Sequence, residues 1–210
     1  MSIHVFFDNS NMWGGAQATR LLREPTVPWV ALRIHYDNLF TFIEGGRDRR
    51  TAELSGSVPP ECEALWPYAS KHGYKTNLLQ KVDDGTGRMV EQAVDEILHL
   101  KMANVLLDYP ATDTLVVATG DGKLSSFGTG FRTQIERALK LGWTVELWSF
   151  SEVCNSCYDR IAHVSPSLHL KMLDTHYDCV TFVQGGEYYE KDPVGKKTYF
   201  RVPARYVKPL

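Results

Sequence analysis

The chain has 210 residues and a formal net charge of −2, with 43% hydrophobic and 23% charged residues, a make-up that suits one globular domain and excludes a global basic field for nucleic acid, leaving at most a local groove. No apolar run approaches the length of a membrane span, so no membrane partner is expected. The opening MSIHVFF has neither the basic region nor the cleavage site of a signal peptide, and four scattered cysteines suggest no disulfide framework, so a cytoplasmic setting is expected.

Residues 3–7 predict a strand, apolar on both faces as in the centre of a parallel sheet. Residues 9–17, with Gly14-Gly15, read as a loop. Pro28 suits the first turn of a helix over 29–43 that stops at Gly45-Gly46. Arg47, Arg49 and Arg50 precede a strand near 51–55. A short helix follows over 65–71, closed by Gly73, then an alternating strand over 74–82. A turn at 83–87 leads into the longest helix, over 89–107, with Val94, Leu98, Met102 and Val105 in its apolar stripe. Residues 113–119 are a hydrophobic strand, 120–130 a glycine- and serine-rich loop, 131–141 an amphipathic helix stopped by Gly142, and 143–150 another strand. That run is the pattern of a parallel crossover. A short helix near 155–163 and an apolar segment over 179–183 come next, and the polar tail from Gly185 is a hairpin or a draped extension. Alternating strands and helices predict an α/β domain with helices on both faces of a mostly parallel sheet.

Three stretches set an acid in apolar surroundings: Val5-Phe6-Phe7-Asp8, Val94-Asp95-Glu96-Ile97, and Val116-Val117-Ala118-Thr119-Gly120-Asp121. In a parallel sheet, Asp8 and Asp121 follow their strands at the same edge, where open α/β sheets build their sites. Each acid alone also has a plain structural reading, as a helix N-cap, a turn former or a solvated helix charge. Brought together, they repel and resist desolvation unless a cation joins them. Oxygen ligands without nearby His or Cys favour Mg²⁺ or Mn²⁺ over zinc. Such an ion stabilises charge on a phosphoryl group, so a phosphodiester is the natural substrate.

Asp8-Asn9-Ser10-Asn11 after a strand, Val94-Asp95 within a long helix, and Thr119-Gly120-Asp121-Gly122 after a second strand resemble, in that order, the NYN domain family, a branch of the PIN-like metal-dependent ribonucleases. Gly142-Trp143-Thr144-Val145 is similar to that family's G-x-x-V strand. The resemblance spans residues 3–183. It implies a three-layer α/β/α PIN-like, Rossmann-like fold over residues 1–184, with 185–210 as a C-terminal extension. It further implies Mg²⁺- or Mn²⁺-dependent endonucleolytic hydrolysis of RNA, single-stranded by preference, to 5′-phosphate and 3′-hydroxyl ends. Asp8, Asp95 and Asp121 take the metal-ligand positions, and Asn11 joins them in the catalytic set by bracing the loop after the first strand. The expected substrate side comprises Asn9, Ser10, Thr119, Lys123, Arg49 and Trp13.

The chain departs from the family pattern at Lys123, where a second Asp is common, at Gln92, where a Lys is, and at Lys101, where a further acid is. Two readings stand. Either one metal suffices and Lys123 contacts phosphate, or activity is attenuated and the domain is an RNA- or protein-binding module. Glu91, one helical turn before Asp95, is a substitute carboxylate or a solvated charge.

The remaining candidates carry two readings each. Trp13 stacks on an unpaired base or packs in the core. The arginine cluster contacts phosphates or is a solvated loop. The Ser125–Gly130 loop holds a phosphate near a helix N-terminus or is a flexible turn. Cys154-Asn155-Ser156-Cys157 has a metal-like spacing without the second pair that zinc needs, and Cys62 and Cys179 do not supply it. His163, His169 and His176 are scattered. A dinucleotide fingerprint is absent, and Ser10, two residues after Asp8, argues against a phosphatase that needs an acid there. RNA is the expected partner, and the oligomeric state stays open, a homodimer included.

Overall fold

The strand Ile3–Asp8 (β1) is buried along its whole length, as its two apolar faces require, and it lies inside the sheet with a neighbour on each side. The computed structural model describes residues 2–57, 65–79, 82–83, 89–90, 94–124, 128–191 and 194–210, with backbone alone at 57, 78–79, 82–83, 89–90, 94–95 and 190–191. After β1 come helix Asn9–Arg23 (α1), strand Leu32–Ile34 (β2), helix Tyr36–Glu44 (α2), strand Arg49–Ser57 (β3), helix Leu65–Lys71 (α3) and strand Lys75–Leu79 (β4). The short strands Val82–Asp83 (β5) and Met89–Val90 (β6) precede helix Val94–Asp108 (α4), strand Thr114–Ala118 (β7), helix Phe131–Lys140 (α5), strand Thr144–Ser149 (β8), helix Cys157–Val164 (α6) and strand Leu168–Met172 (β9). Helix Tyr177–Val180 (α7), strand Thr181–Val183 (β10) and the pair Gly186–Lys191 (β11) and Lys197–Val202 (β12) complete the chain.

Six strands form the central sheet in the order β4-β3-β1-β7-β8-β9, and every neighbouring pair is parallel. The chain builds outward from β1 through β3 to β4, then returns to the other side of β1 for β7, β8 and β9. The boundary between β1 and β7 is therefore the topological switch point, and the crevice beyond their carboxyl ends is where such sheets bind ligands.

Period-two alternation divides each central strand between two cores. Ile3, Val5 and Phe7, with Val116 and Ala118, join Met12 and Ala16 of α1, Leu39, Phe40 and Ile43 of α2, and Trp66 of α3. Phe6, with Leu115 and Val117, joins Leu98, Met102 and Val105 of α4, Phe131 and Ile135 of α5, and Tyr158 of α6. The result is the expected three-layer α/β/α arrangement.

Several local expectations are corrected. Residues 9–17 are the first part of α1, not a loop: Asp8 caps the helix by accepting from the Asn11 amide at 3.1 Å. Gly15 suits this helix because a Cβ there would meet Phe150 Cδ2 at 2.8 Å and Val153 Cγ2 at 2.9 Å. The single helix over 29–43 is instead a 3₁₀ turn at Trp29–Ala31, then β2, then α2. The buried Leu32 and Ile34 pair antiparallel with β10, and His35 Nδ1 accepts the Asn38 amide to start α2. The long helix begins at Val94, since Met89–Val90 pairs antiparallel with Val82–Asp83. The expected turn at 83–87 falls largely outside the described residues, as do Cys62, Glu91 and Gln92.

The tail is both a hairpin, β11 with β12, and a draped end. Arg205 clamps Glu24 at 2.8 and 3.0 Å and donates to the Thr181 carbonyl at 2.8 Å, and Lys208 reaches Asp178 at 2.6 Å. Glu24 is the C-cap of α1. The tail therefore docks about 22 Å from the helix start that Asp8 caps, given a rise of about 1.5 Å per residue over this helix. Among the described residues no helix is long and apolar enough to cross a membrane.

Candidate functional site

Asp8 ends β1 and Thr119-Gly120-Asp121 follows β7, so the two acids reach the same sheet edge on neighbouring strands. A set of short hydrogen bonds joins these ends. The Thr119 hydroxyl donates to Asp8 Oδ2 at 2.9 Å, the Gly120 amide donates to Asn11 Oδ1 at 2.6 Å, and the Asp121 amide donates to Thr119 Oγ1 at 3.2 Å. Asn11 thus works in both directions, donating its backbone N–H to Asp8 and accepting from Gly120 with its side chain. Gly120 has no room for a side chain: a Cβ would stand 2.4 Å from the Val153 carbonyl oxygen and 2.7 Å from Ser149 Oγ.

These ends open into a cavity of about 450 Å³, lined on one side by Asp8, Ser10, Asn11 and Gly14, and on the other by Gly120, Asp121, Lys123, Val153 and Asn155. Asp8 is 4% exposed. Asp121 is half-buried and accepts the Lys123 amide on Oδ1 at 3.0 Å. Lys123 is exposed at the rim. The cavity therefore sets two carboxylates and one ammonium side by side.

Asp95 lies in the first turn of α4, and only its backbone is described. Helix α4 packs over β1 and β3 and ends just before β7 begins at the opposite edge. Its 15 residues span about 22 Å, so its first turn stands at the carboxyl edge of the sheet, the edge of Asp8 and Asp121. Among the described residues no cluster of three or more His, Cys, Asp and Glu side chains is gathered, and the side chain of Asp95 is not among them.

The donor chemistry fits a hard divalent cation. The lining offers carboxylate, hydroxyl and amide oxygens and no thiolate or imidazole, the ligand class of Mg²⁺ and Mn²⁺.

The other expected site residues fall into three places. Ser10 and Lys123 line the cavity. Asn9 and Thr119 are buried behind it, Asn9 accepting from the Tyr36 hydroxyl at 2.7 Å and Thr119 acting through Asp8. Trp13 packs against the α1-side core, the second of its two readings, and does not line the cavity. Arg49 lies away from the cavity. It pairs in register with Ile3, at the other end of the sheet from Asp8, and it is engaged by Glu44 at 3.0 Å and the His72 carbonyl. Arg47 is likewise held by Glu146, and Arg50 by Asp113. Residues 125–127 of the expected phosphate loop lie outside the described residues.

Reading the sequence missed three residues. Asn155 lines the cavity and donates its amide to the Gly120 carbonyl at 2.9 Å. Tyr158 is fully buried and donates its hydroxyl to the Asp121 carbonyl at 2.5 Å. The signal for both was their position just after β8, a third strand ending at this edge. His99, four residues after Asp95, is buried with its ring edge-on to Phe131 at 4.5 Å, and among the described residues neither ring nitrogen has a hydrogen-bond partner. Burial lowers its pKa, with Glu96 and Asp121 opposing that shift. The Cys154/Cys157 pair gathers no third His, Cys, Asp or Glu ligand among the described residues, and burial pushes the Cys154 thiol up to about 11 and raises Cys157 as well.

No protein-family model matches the chain, and no curated protein matches it in sequence. The fold is similar to that of a crystal structure of VPA0982, a protein of unknown function from Vibrio parahaemolyticus RIMD 2210633. The TM-score is 0.54 at 12% sequence identity, over 82% of this chain and 94% of that one. At that identity the likeness is one of fold alone.

Proposed function

We propose that this chain is a divalent-metal-dependent ribonuclease of the NYN, PIN-like type, acting on single-stranded RNA in the cytoplasm. One observation carries the proposal: Asp8 and Asp121 line a single polar cavity at the switch point of the parallel sheet. Asp8, Asp121 and the first-turn Asp95 would hold a Mg²⁺ or Mn²⁺ ion. When bound, such an ion supplies Lewis-acid stabilisation of phosphoryl charge and lowers the pKa of water.

The chain's own groups do the rest. Thr119 and the Asn11 amide fix the Asp8 carboxylate in one orientation. Asn11 ties the two strand ends together, and its side-chain N–H groups would donate to a phosphate oxygen. Lys123, at the rim, offers a mobile positive charge to the backbone of a bound strand, as phosphate contacts require. The free thiols of Cys154, Cys157 and Cys179 suit a reducing compartment.

Lys123 also supports a second reading. A cation beside Asp121 lowers the negative charge available to a metal, which favours a binding module without turnover. The deciding experiment is cleavage of an end-labelled single-stranded RNA with Mn²⁺, Mg²⁺ or EDTA, wild type beside Asp121→Asn. Metal-dependent cleavage that the variant loses is the expected result. RNA binding without cleavage in any metal establishes the binding module instead.

A further inference from the structure

The hairpin β11–β12 is two-faced. Register pairs Tyr188 with Phe200 and Gly186 with Val202 on one face, and Tyr189 with Tyr199 and Glu187 with Arg201 on the other. The first face packs inward: Val202 is buried, and Tyr188 and Phe200 rest on the α1-side core. The second faces water, with Tyr189 47% and Tyr199 66% exposed and their rings 5.7 Å apart. Lys197 lays its ammonium 4.3 Å from the centre of the Tyr189 ring, and exposed Arg201 stands beyond Tyr199 on the same face.

This face continues into a groove of about 290 Å³ lined by Tyr189 together with Arg20, Pro25, Val27, Pro28 and Trp29. Trp29 is 58% exposed. Two large exposed rings, Tyr189 and Trp29, therefore line one groove, and Tyr199 stands beside Tyr189 on the outer face of the hairpin. A cross-strand aromatic pair stabilises a hairpin by itself, but it accounts for neither the exposed Trp29 nor the flanking Lys197 and Arg201. From residue 186 onward the chain carries six basic against three acidic residues, a net +3 in a protein that is −2 overall. Arg205 and Lys208 of that segment are engaged by Glu24 and Asp178, so among the described side chains the cations on the outer face are Lys197 and Arg201, with Glu187 opposite Arg201.

We infer that the outer face of β11–β12 and the adjoining Trp29 groove form a stacking platform for unpaired bases of single-stranded RNA. Aromatic faces take successive bases without sequence preference, and nearby cations track the backbone. Arg20 of the groove and Gly14 of the acidic cavity lie on the same helix, six residues apart, or about 9 Å along its axis. The two positions stand about 120° apart around that axis, so a strand held by the platform must wrap part of the way around α1 to bring a phosphodiester to the acids. This inference rests on the RNA reading of the acidic cavity.

The test uses the full chain and a fluorescent single-stranded oligouridylate, with binding followed by anisotropy in EDTA. Tyr189→Ala with Tyr199→Ala should weaken binding about tenfold or more, while Tyr189→Phe with Tyr199→Phe should stay within about twofold. Lys197→Gln with Arg201→Gln should lower the slope of log affinity against log salt by about 1.4. Mn²⁺-dependent cleavage of a dinucleotide, too short to reach the hairpin, should be unchanged in the tyrosine variants. Unchanged RNA affinity in the alanine variants, with wild type still cleaving, overturns the platform and leaves the nuclease. A wild type that neither binds nor cleaves overturns both. A fall in solution mass by light scattering, with RNA affinity intact, assigns the face to a second copy of the chain.

Discussion

The Thr119 hydroxyl donates to Asp8 Oδ2 at 2.9 Å between two buried side chains, so the carboxylate at the end of β1 is oriented by the first residue after β7. Thr119 Oγ1 also accepts the Asp121 amide. A single hydroxyl thereby sets the position of one candidate ligand and the backbone of the other. Thr119 touches neither solvent nor cavity, and its influence on the site passes through these two bonds.

Replacing Thr119 with Val removes the hydroxyl and keeps the shape. Metal-dependent cleavage should fall about 10- to 100-fold, the usual effect of losing an outer-shell partner, while Thr119→Ser should stay within about threefold of wild type. The stability cost of Thr119→Val should be about 1 kcal/mol. Titration of activity with Mn²⁺, with thermal melts run beside it, separates the two effects.

A metal that binds only the folded chain raises its melting temperature. At a Mn²⁺ concentration 100 times the dissociation constant the gain is about 2.7 kcal/mol, or roughly 5–10 °C for a chain of this size. Asp8→Asn and Asp121→Asn should each abolish most of that shift. Asp8→Asn should melt near the wild type without metal, because Asn caps a helix as well as Asp does. A differential scanning fluorimetry series in Mn²⁺ checks both outcomes.

His99 is buried and neutral, with its pKa held below the ordinary 6.5 by loss of hydration, and His4 is shifted the same way against the pull of Asp113. As pH falls through 6.5, the unfolded chain takes up protons on these rings before the folded one does. Stability is therefore greatest above 6.5 and declines as pH drops below it. Urea midpoints at pH 7.5 and 5.5 should show this loss, and His99→Leu should lose less over the same interval.

Lys101 pairs with Glu53, whose side chain is 5% exposed, at 2.5 Å, and Asn77 donates to the same Glu53 oxygen at 3.0 Å. Lys101 is thus committed to a structural pair. Lys101→Met should cost about 2–3 kcal/mol, below the ~3–5 kcal/mol for breaking a fully buried pair because Lys101 is partly solvated. Glu53→Gln with Lys101→Met should recover part of that loss, as measured by denaturant unfolding.

Much of the architecture was legible in the sequence because it follows from local periodicity. The doubly apolar 3–7 run, the short helix at 65–71 and the strand–loop–helix–strand unit from 113 to 150 all reappear as central or covering elements. The glycine pair at 14–15 misled, since a helix glycine that lets another segment approach cannot be told from a loop glycine until the neighbour, Phe150, is in place. Leu32 and Ile34 misled in the same way, because a three-residue strand has no period of its own and exists only through its pairing with β10.

The sequence by itself determined the parallel α/β class and the acids at the ends of its two central strands, because strand burial and a strand-end carboxylate are properties of a few adjacent residues. Tertiary structure alone decided that β1 and β7 are neighbours, and so that Asp8 and Asp121 share a cavity 113 residues apart in number. It also sent Arg49 to the opposite edge and placed Tyr158 and Asn155 behind the Gly120 turn. Those outcomes depend on strand order and register, which arise from long-range pairing and packing that no local pattern records.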